Sequence, residues 1–164
     1  MDPVSRISDL AHPEAQRLLR DAPLLRLGYD GTDDTPRVIP IGFFWNGAEV
    51  VVCTAVTSPK VRALARRTEV GMSIDEGTTP ADAKALLLRG TAALETVDGV
   101  PEEYIAGARK VMPENEVEAF EVACRAMYRQ MVRITIRPTW AKLLDFGAGR
   151  LPTFLQKLAE EAQG

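Results

Sequence analysis

The stretch from Pro36 to Leu64, PRVIPIGFFWNGAEVVVCTAVTSPKVRAL, decides how the rest of the chain is read. Arg37–Trp45 is rich in β-branched and aromatic residues but is interrupted by Pro40 and Gly42. Proline cannot donate to a strand ladder, so Pro40 implies an edge, a bulge or a place approached by something else. Asn46-Gly47 is a strong hairpin signal. Glu49–Thr54 then returns as a β-branched run. In Thr57-Ser58-Pro59-Lys60, serine suits an N-cap and proline a first helical residue. Val61, Leu64 and Ala65 follow as an apolar stripe at helical spacing.

Outward from this stretch, Pro13–Leu19 reads as a short helix with proline in its first turn. Leu24–Tyr29 alternates as a strand, and Asp30–Pro36 is a turn. Val70–Ile74 is a further strand, ended by Asp75-Glu76-Gly77 and followed by a loop over Thr78–Ala83. Leu86–Val97 is a long strand containing Gly90. Pro101–Met112 and Glu114–Tyr128 read as two helices broken at Pro113, the second with Val117, Phe120, Cys124, Met127 and Met131 on one face. Met131–Arg137 and Trp140–Phe146 read as two last strands, and Leu151, Phe154, Leu155, Leu158 and Ala162 as an amphipathic final helix. Five to seven strands in mostly hairpin order, with helices inserted late, predict a mainly β fold: an antiparallel barrel with peripheral helices rather than alternating βαβ units.

Composition narrows the function. The 164 residues suit one domain. Twenty Lys and Arg against 23 Asp and Glu leave a net charge of −3, which argues against general nucleic-acid binding. No apolar run is long enough to span a bilayer, and Met1–Ser8 lacks the apolar region of a secretory signal, so the expected location is cytoplasmic. Cys53 and Cys124 are too few and too far apart for a disulfide framework or a zinc site and are expected as small core residues. One histidine, His12, rules out a three-histidine metal site within one chain. No Gly-x-Gly-x-x-Gly motif follows a strand and no Gly-Lys-Ser/Thr phosphate loop is present. Side chains suited to nucleophilic chemistry are scarce, so an enzyme built from this chain would depend on a borrowed cofactor.

The segment Val52–Leu64 carries the chemistry. A strand ends, a hydroxyl-rich loop follows, and a helix begins with its positive dipole end and unpartnered N–H groups. Thr54, Thr57 and Ser58 add hydroxyls, and Lys60 adds a charge in the first turn, where it opposes the dipole unless an anion is bound. Arg62, Arg66 and Arg67 lie on the same helix, with no acidic residue from Ser58 to Arg67. These features predict a phosphate-binding site; the competing reading is a capped surface helix whose basic residues are solvated.

The order of features resembles a family. Strand Pro36–Ile41, the Asn-Gly hairpin, a strand ending in Thr54, Ser58-x-Lys60 opening a helix, Val70–Asp75 and Arg89-Gly90-Thr91-Ala92 look like the pyridoxamine 5′-phosphate oxidase-like split β-barrel family, over roughly Leu24–Glu95 and again at Val132–Phe146. The resemblance implies a flavin-reductase/oxidase-like antiparallel split β-barrel formed by residues 1–164 as one domain. Residues 22–97 would be the first part of the barrel, 101–129 inserted helices, 130–147 the last strands and 150–163 a C-terminal helix. It implies a homodimer carrying FMN or a deazaflavin (coenzyme F-420) and an oxidoreductase acting on a small conjugated molecule. The alternative is a non-catalytic flavin- or haem-type ligand-binding or sensing protein. By position, Thr54, Ser58 and Lys60 would hold the cofactor phosphate, with Cys53, Thr57 and Arg62 beside them. Ile39, Pro40 and Ile41 would run along the ring, and Trp140 would approach it from the partner subunit. The chain departs from the oxidases proper in having Pro59 where an arginine directly precedes the lysine, and apolar Ile39 near another arginine position. That points away from pyridoxamine phosphate as substrate.

Overall fold

The computed structural model describes residues 3–163. The stretch Met1–Ser8 begins outside the described residues, at Met1 and Asp2. In chain order the elements are α1 (Pro3–Arg6), α2 (Pro13–Asp21), β1 (Leu25–Asp30), β2 (Pro36–Ile41), β3 (Phe44–Trp45), β4 (Val50–Ala55), α3 (Pro59–Arg66), β5 (Glu69–Glu76), β6 (Lys84–Asp98), α4 (Glu102–Arg109), α5 (Glu114–Met127), β7 (Gln130–Asp145) and α6 (Thr153–Glu161). The strands form one seven-stranded antiparallel sheet in the order β2-β1-β5-β6-β7-β4-β3. Its two edge strands, β2 and β3, are consecutive in the chain, with only Gly42 and Phe43 between them. The three Cα–Cα steps from Ile41 to Phe44 reach roughly 11 Å at most, so the sheet must curl to bring its two edges together. The expected antiparallel split barrel with peripheral helices is the fold observed.

The long β6–β7 ribbon is the spine. β5 pairs with its first half (Glu69↔Thr91 to Glu76↔Lys84), and β4 pairs with the other half on the β7 side (Val50↔Ile136 to Ala55↔Met131). The two strands expected at Met131–Arg137 and Trp140–Phe146 are one, β7, running through Pro138. The ladder tolerates the proline because the register slips there: Arg89 pairs with Trp140 but Gly90 pairs with Pro138, leaving Thr139 as an extra residue. Gly90 is required at this bend. A Cβ on it would lie 2.7 Å from the Arg137 carbonyl oxygen and 2.7 Å from Ile136 Cγ2.

Leu18, Leu25, Leu27, Val52, Ile134 and Ile136 belong to the main core inside the barrel. A second core lies outside it, where Val51 and Cys53 of β4 meet Ile105, Val117, Cys124 and Met131. β4 is thus covered on both faces, which explains its unbroken Val50–Cys53 apolar run. Cys53 and Cys124 are buried free thiols, as expected. The helices α4 and α5 are an excursion of the ribbon, closed at its neck by the Gly99 N–H donating to the Arg129 carbonyl at 2.7 Å.

Several local expectations need correction. Arg37–Trp45 is two strands, because the chain turns the barrel corner at Gly42-Phe43. In the hairpin the central residues are Gly47 (φ +96°) and Ala48 rather than Asn46-Gly47; Asn46 precedes them, and its Oδ1 accepts from the Ala48 and Glu49 N–H groups at 2.9 and 2.8 Å. α4 ends at Arg109, short of Met112. Met127 is 71% exposed, since the apolar stripe of α5 outlasts the surface that covers it. No residue of α6 is buried. His12 is a cap: its Nδ1 accepts from the Glu14 N–H at 3.1 Å at the start of α2.

Candidate functional site

β4 ends at Ala55, the chain turns with the Ser58 N–H donating to the Ala55 carbonyl at 3.0 Å, and α3 starts at Pro59. Ser58 occupies the N-cap position in extended conformation, yet its side chain makes no capping bond. Its Oγ instead accepts from Lys60 Nζ at 2.7 Å, and Thr54 Oγ1 accepts from the same ammonium at 3.2 Å. The expected cap is corrected: the lysine takes the hydroxyl that would have satisfied the helix. Fewer backbone donors are open than the helix start suggested, because Pro59 has no N–H and the Val61 N–H goes to the Ser58 carbonyl at 3.0 Å. The Lys60 N–H has no partner among the described residues.

Lys60 is half-buried and has no carboxylate partner among the described residues. Burial pushes its ammonium below the usual lysine range. Two hydroxyls that each retain a proton meet the Lys60 ammonium, and an unpartnered N–H opens the same helix; all are groups that can donate to an oxyanion.

The basic patch divides. Arg67 pairs with Asp30 at 3.2 Å and Asp34 at 3.1 Å, and Arg66 pairs with Asp34 at 3.4 Å while donating to the Thr32 carbonyl at 2.7 Å. These two tie α3 to the β1–β2 turn and are not a free anion patch. Arg62 makes no ion pair among the described residues. It lines a recess of about 460 Å³ with Thr32, Thr57 and Ser58. Thr32 was not foreseen, because no local pattern ties that turn to α3.

Ile39, Pro40, Ile41 and Cys53 lie elsewhere. β2 is the sheet edge, and Pro40 sits there, paired to Arg26 of β1 only. Ile39 packs on the main core. Pro40, Ile41 and Cys53 line a second cavity, of about 420 Å³, closed on its far side by Tyr104 and Ala108 of α4 and Phe120 of α5. This wall is not legible in the sequence, where the apolar face of the second helix marks burial but not the gap beside it. Cys53 and Thr54 follow one another on β4, one facing each region. Burial and nearby Glu103 push the Cys53 thiol up to about 12, so it is a neutral group and no nucleophile. Trp140 joins neither region. It is half-buried, with the Arg89 guanidinium 4.6 Å from its ring centroid.

A family model described as pyridoxamine 5′-phosphate oxidase matches residues 11–139. Among solved structures, a conserved hypothetical protein of Mycobacterium tuberculosis is similar at a TM-score of 0.67 and 16% identity, over 87% of this chain and 89% of that one. A protein described as an F420 reductase is similar at a TM-score of 0.53 and 22% identity, over 77% and 94%. The haem storage protein of Vibrio cholerae is similar at a TM-score of 0.55 and 17% identity, over 82% and 93%. No match is found among the curated proteins. Among the described residues no helix is long and apolar enough to cross a membrane.

Proposed function

Since the chain belongs to the pyridoxamine 5′-phosphate oxidase family, we propose that it is a cytoplasmic, homodimeric oxidoreductase that holds a flavin-type cofactor, FMN or the deazaflavin F-420, by its phosphate at Thr54, Ser58 and Lys60. The observation that carries this reading is the Lys60 ammonium, half-buried, held by two hydroxyls and without a carboxylate. A half-buried ammonium held only by neutral hydroxyls gains from a counter-charge, and an oxyanion bound here would accept from the ammonium and both hydroxyls. Arg62 and Thr57, in the adjoining recess, extend the positive end of the site. Ile39, Pro40 and Ile41 are assigned to the ring edge. Trp140 is half-buried on the sheet, which fits a contact made across a subunit interface. When bound, such a cofactor supplies hydride transfer to or from a small conjugated molecule; the protein binds, orients and excludes water.

A second reading is a non-catalytic binding or sensing module. It uses the same cradle and is supported by the fold's likeness to a haem storage protein. Absorbance titration with FMN and with F-420 separately tests the cofactor, and light scattering tests the dimer. Saturable binding of either, followed by reoxidation of the reduced complex by an organic acceptor faster than by oxygen, supports the enzyme. Reoxidation by oxygen alone supports the module, and no binding of either removes the cofactor reading.

A further inference from the structure

We infer that the cavity between the β2–β3 corner and the inserted helices is where the substrate is selected, and that it takes an uncharged, predominantly apolar small molecule. The assignment of a substrate rests on the cofactor reading above; the cavity and its chemistry do not. Its volume of about 420 Å³ falls in the range of small-molecule sites. The walls come from two sources. Pro40, Ile41 and Phe43 belong to the barrel edge, and Tyr104, Ala108 and Phe120 to α4 and α5. No charged side chain lines it. Lys110, which with Arg109 lies between the lining residues Ala108 and Val111, is engaged by the wall itself: its Nζ lies 3.6 Å from the Phe43 ring centroid and donates to the Ala22 carbonyl at 3.2 Å, and burial lowers its pKa to about 8. The two titratable tips in the lining are held neutral, the Cys53 thiol and the Tyr104 hydroxyl both pushed up to about 12, chiefly by burial. A cation entering here, or an anion held away from Lys110, would lose its hydration without a partner.

α4 approaches the barrel at Gly107, where an added Cβ would lie 3.1 Å from the Phe43 carbonyl oxygen. Tyr104 is braced by Phe120, stacked at 6.0 Å between centroids, and by Tyr128, edge-on at 6.3 Å. Because Pro40 and Ile41 are both cavity wall and the residues assigned to the cofactor ring, a molecule held here abuts the ring edge. The insertion thereby sets specificity, while the cradle at Lys60 is common to any substrate.

The test uses the full-length protein and prodan, an uncharged naphthalene dye whose emission shifts to the blue in apolar surroundings. Saturable, blue-shifted binding is expected. The sulfonated dye 8-anilinonaphthalene-1-sulfonate should bind about tenfold more weakly or less. Ala108→Phe, which fills the cavity, should weaken prodan by about tenfold or more with FMN or F-420 affinity unchanged. Val111→Trp does the same from a position at the mouth that is 57% exposed, where a folding defect is not expected. Prodan binding that is absent, or equal in wild type and both folded variants, overturns the assignment. If prodan behaves as expected but neither cofactor binds, the cofactor reading falls and the cavity stands as a site for neutral apolar ligands.

Discussion

Replacing Lys60 by methionine separates a binding role from a structural one. The side chain keeps most of its length and apolar stem and loses the ammonium. In the absence of ligand that charge is half-buried, without a carboxylate, and below the usual lysine range. Folding disfavours the charged form, so the unfolded chain binds more protons in the alkaline range, and stability there rises with pH. Methionine removes this cost, so the unliganded variant should melt at the same temperature or higher. With phosphate-bearing cofactor the order reverses. A hydrogen bond to a charged group contributes about 1.5–3 kcal/mol, so affinity should fall by roughly ten- to 150-fold. Cofactor at 100 times its Kd stabilises the wild type by about 2.7 kcal/mol. That is about 5–11 °C for a domain of this size, and the variant at the same concentration should lose most of it. Bound phosphate favours the ammonium, so wild-type affinity should also decline as pH rises through the lowered lysine value, and the variant's should not. Calorimetric titration and paired melts with and without cofactor measure all of this. Equal affinity in the two proteins, or an unliganded variant that melts well below wild type, would refute the assignment of Lys60 as an anion ligand.

Gly90→Val should lower Tm by about 2–12 °C, from roughly 1–3 kcal/mol of overpacking against the Arg137 backbone; Gly71→Val, where an added Cβ meets nothing within 4 Å, is the control that should not, by differential scanning fluorimetry. Arg62→Ala should weaken F-420 more than FMN, because its recess lies beyond the phosphate cradle, while Arg67→Ala, whose pairs with Asp30 and Asp34 are exposed, should leave both affinities within about twofold; equilibrium titration of the two variants decides it. Arg17 and Lys84 hold the Glu14 carboxyl at about 2, below its usual 4.5. The stability this contributes is full above the ordinary value and is lost as pH falls toward 2. Glu14→Gln should therefore flatten the acid limb of a Tm-against-pH curve without altering its neutral plateau by more than its own offset.

The barrel was legible because its signals are local. Alternation marks β1 and β5, and Ser58-Pro59 marks the start of α3. What stayed hidden depends on distance along the chain. Thr139 is an extra residue only once Arg89 and Trp140 are paired, so β7 read as two strands. Arg66 and Arg67 read as free because their carboxylates, Asp30 and Asp34, are more than thirty positions upstream. Ser58 was rightly placed at the N-cap, but a side-chain bond two residues long, to Lys60, outcompeted the cap. The cavity wall was missed for the same reason: apolar spacing in α4 and α5 says that a face is buried, not that a gap remains beneath it.

The neck at Gly99 and Arg129, where the chain leaves β6 and rejoins β7 through a 2.7 Å bond, makes the intervening thirty or so residues a cassette. A segment whose ends close there and which still covers Val51, Cys53 and Met131 leaves the ladder of the ribbon intact, since loop length itself costs little. Evolution or a designer can therefore exchange that cassette to change which molecules are admitted, with the anion cradle on the opposite face of β4 untouched.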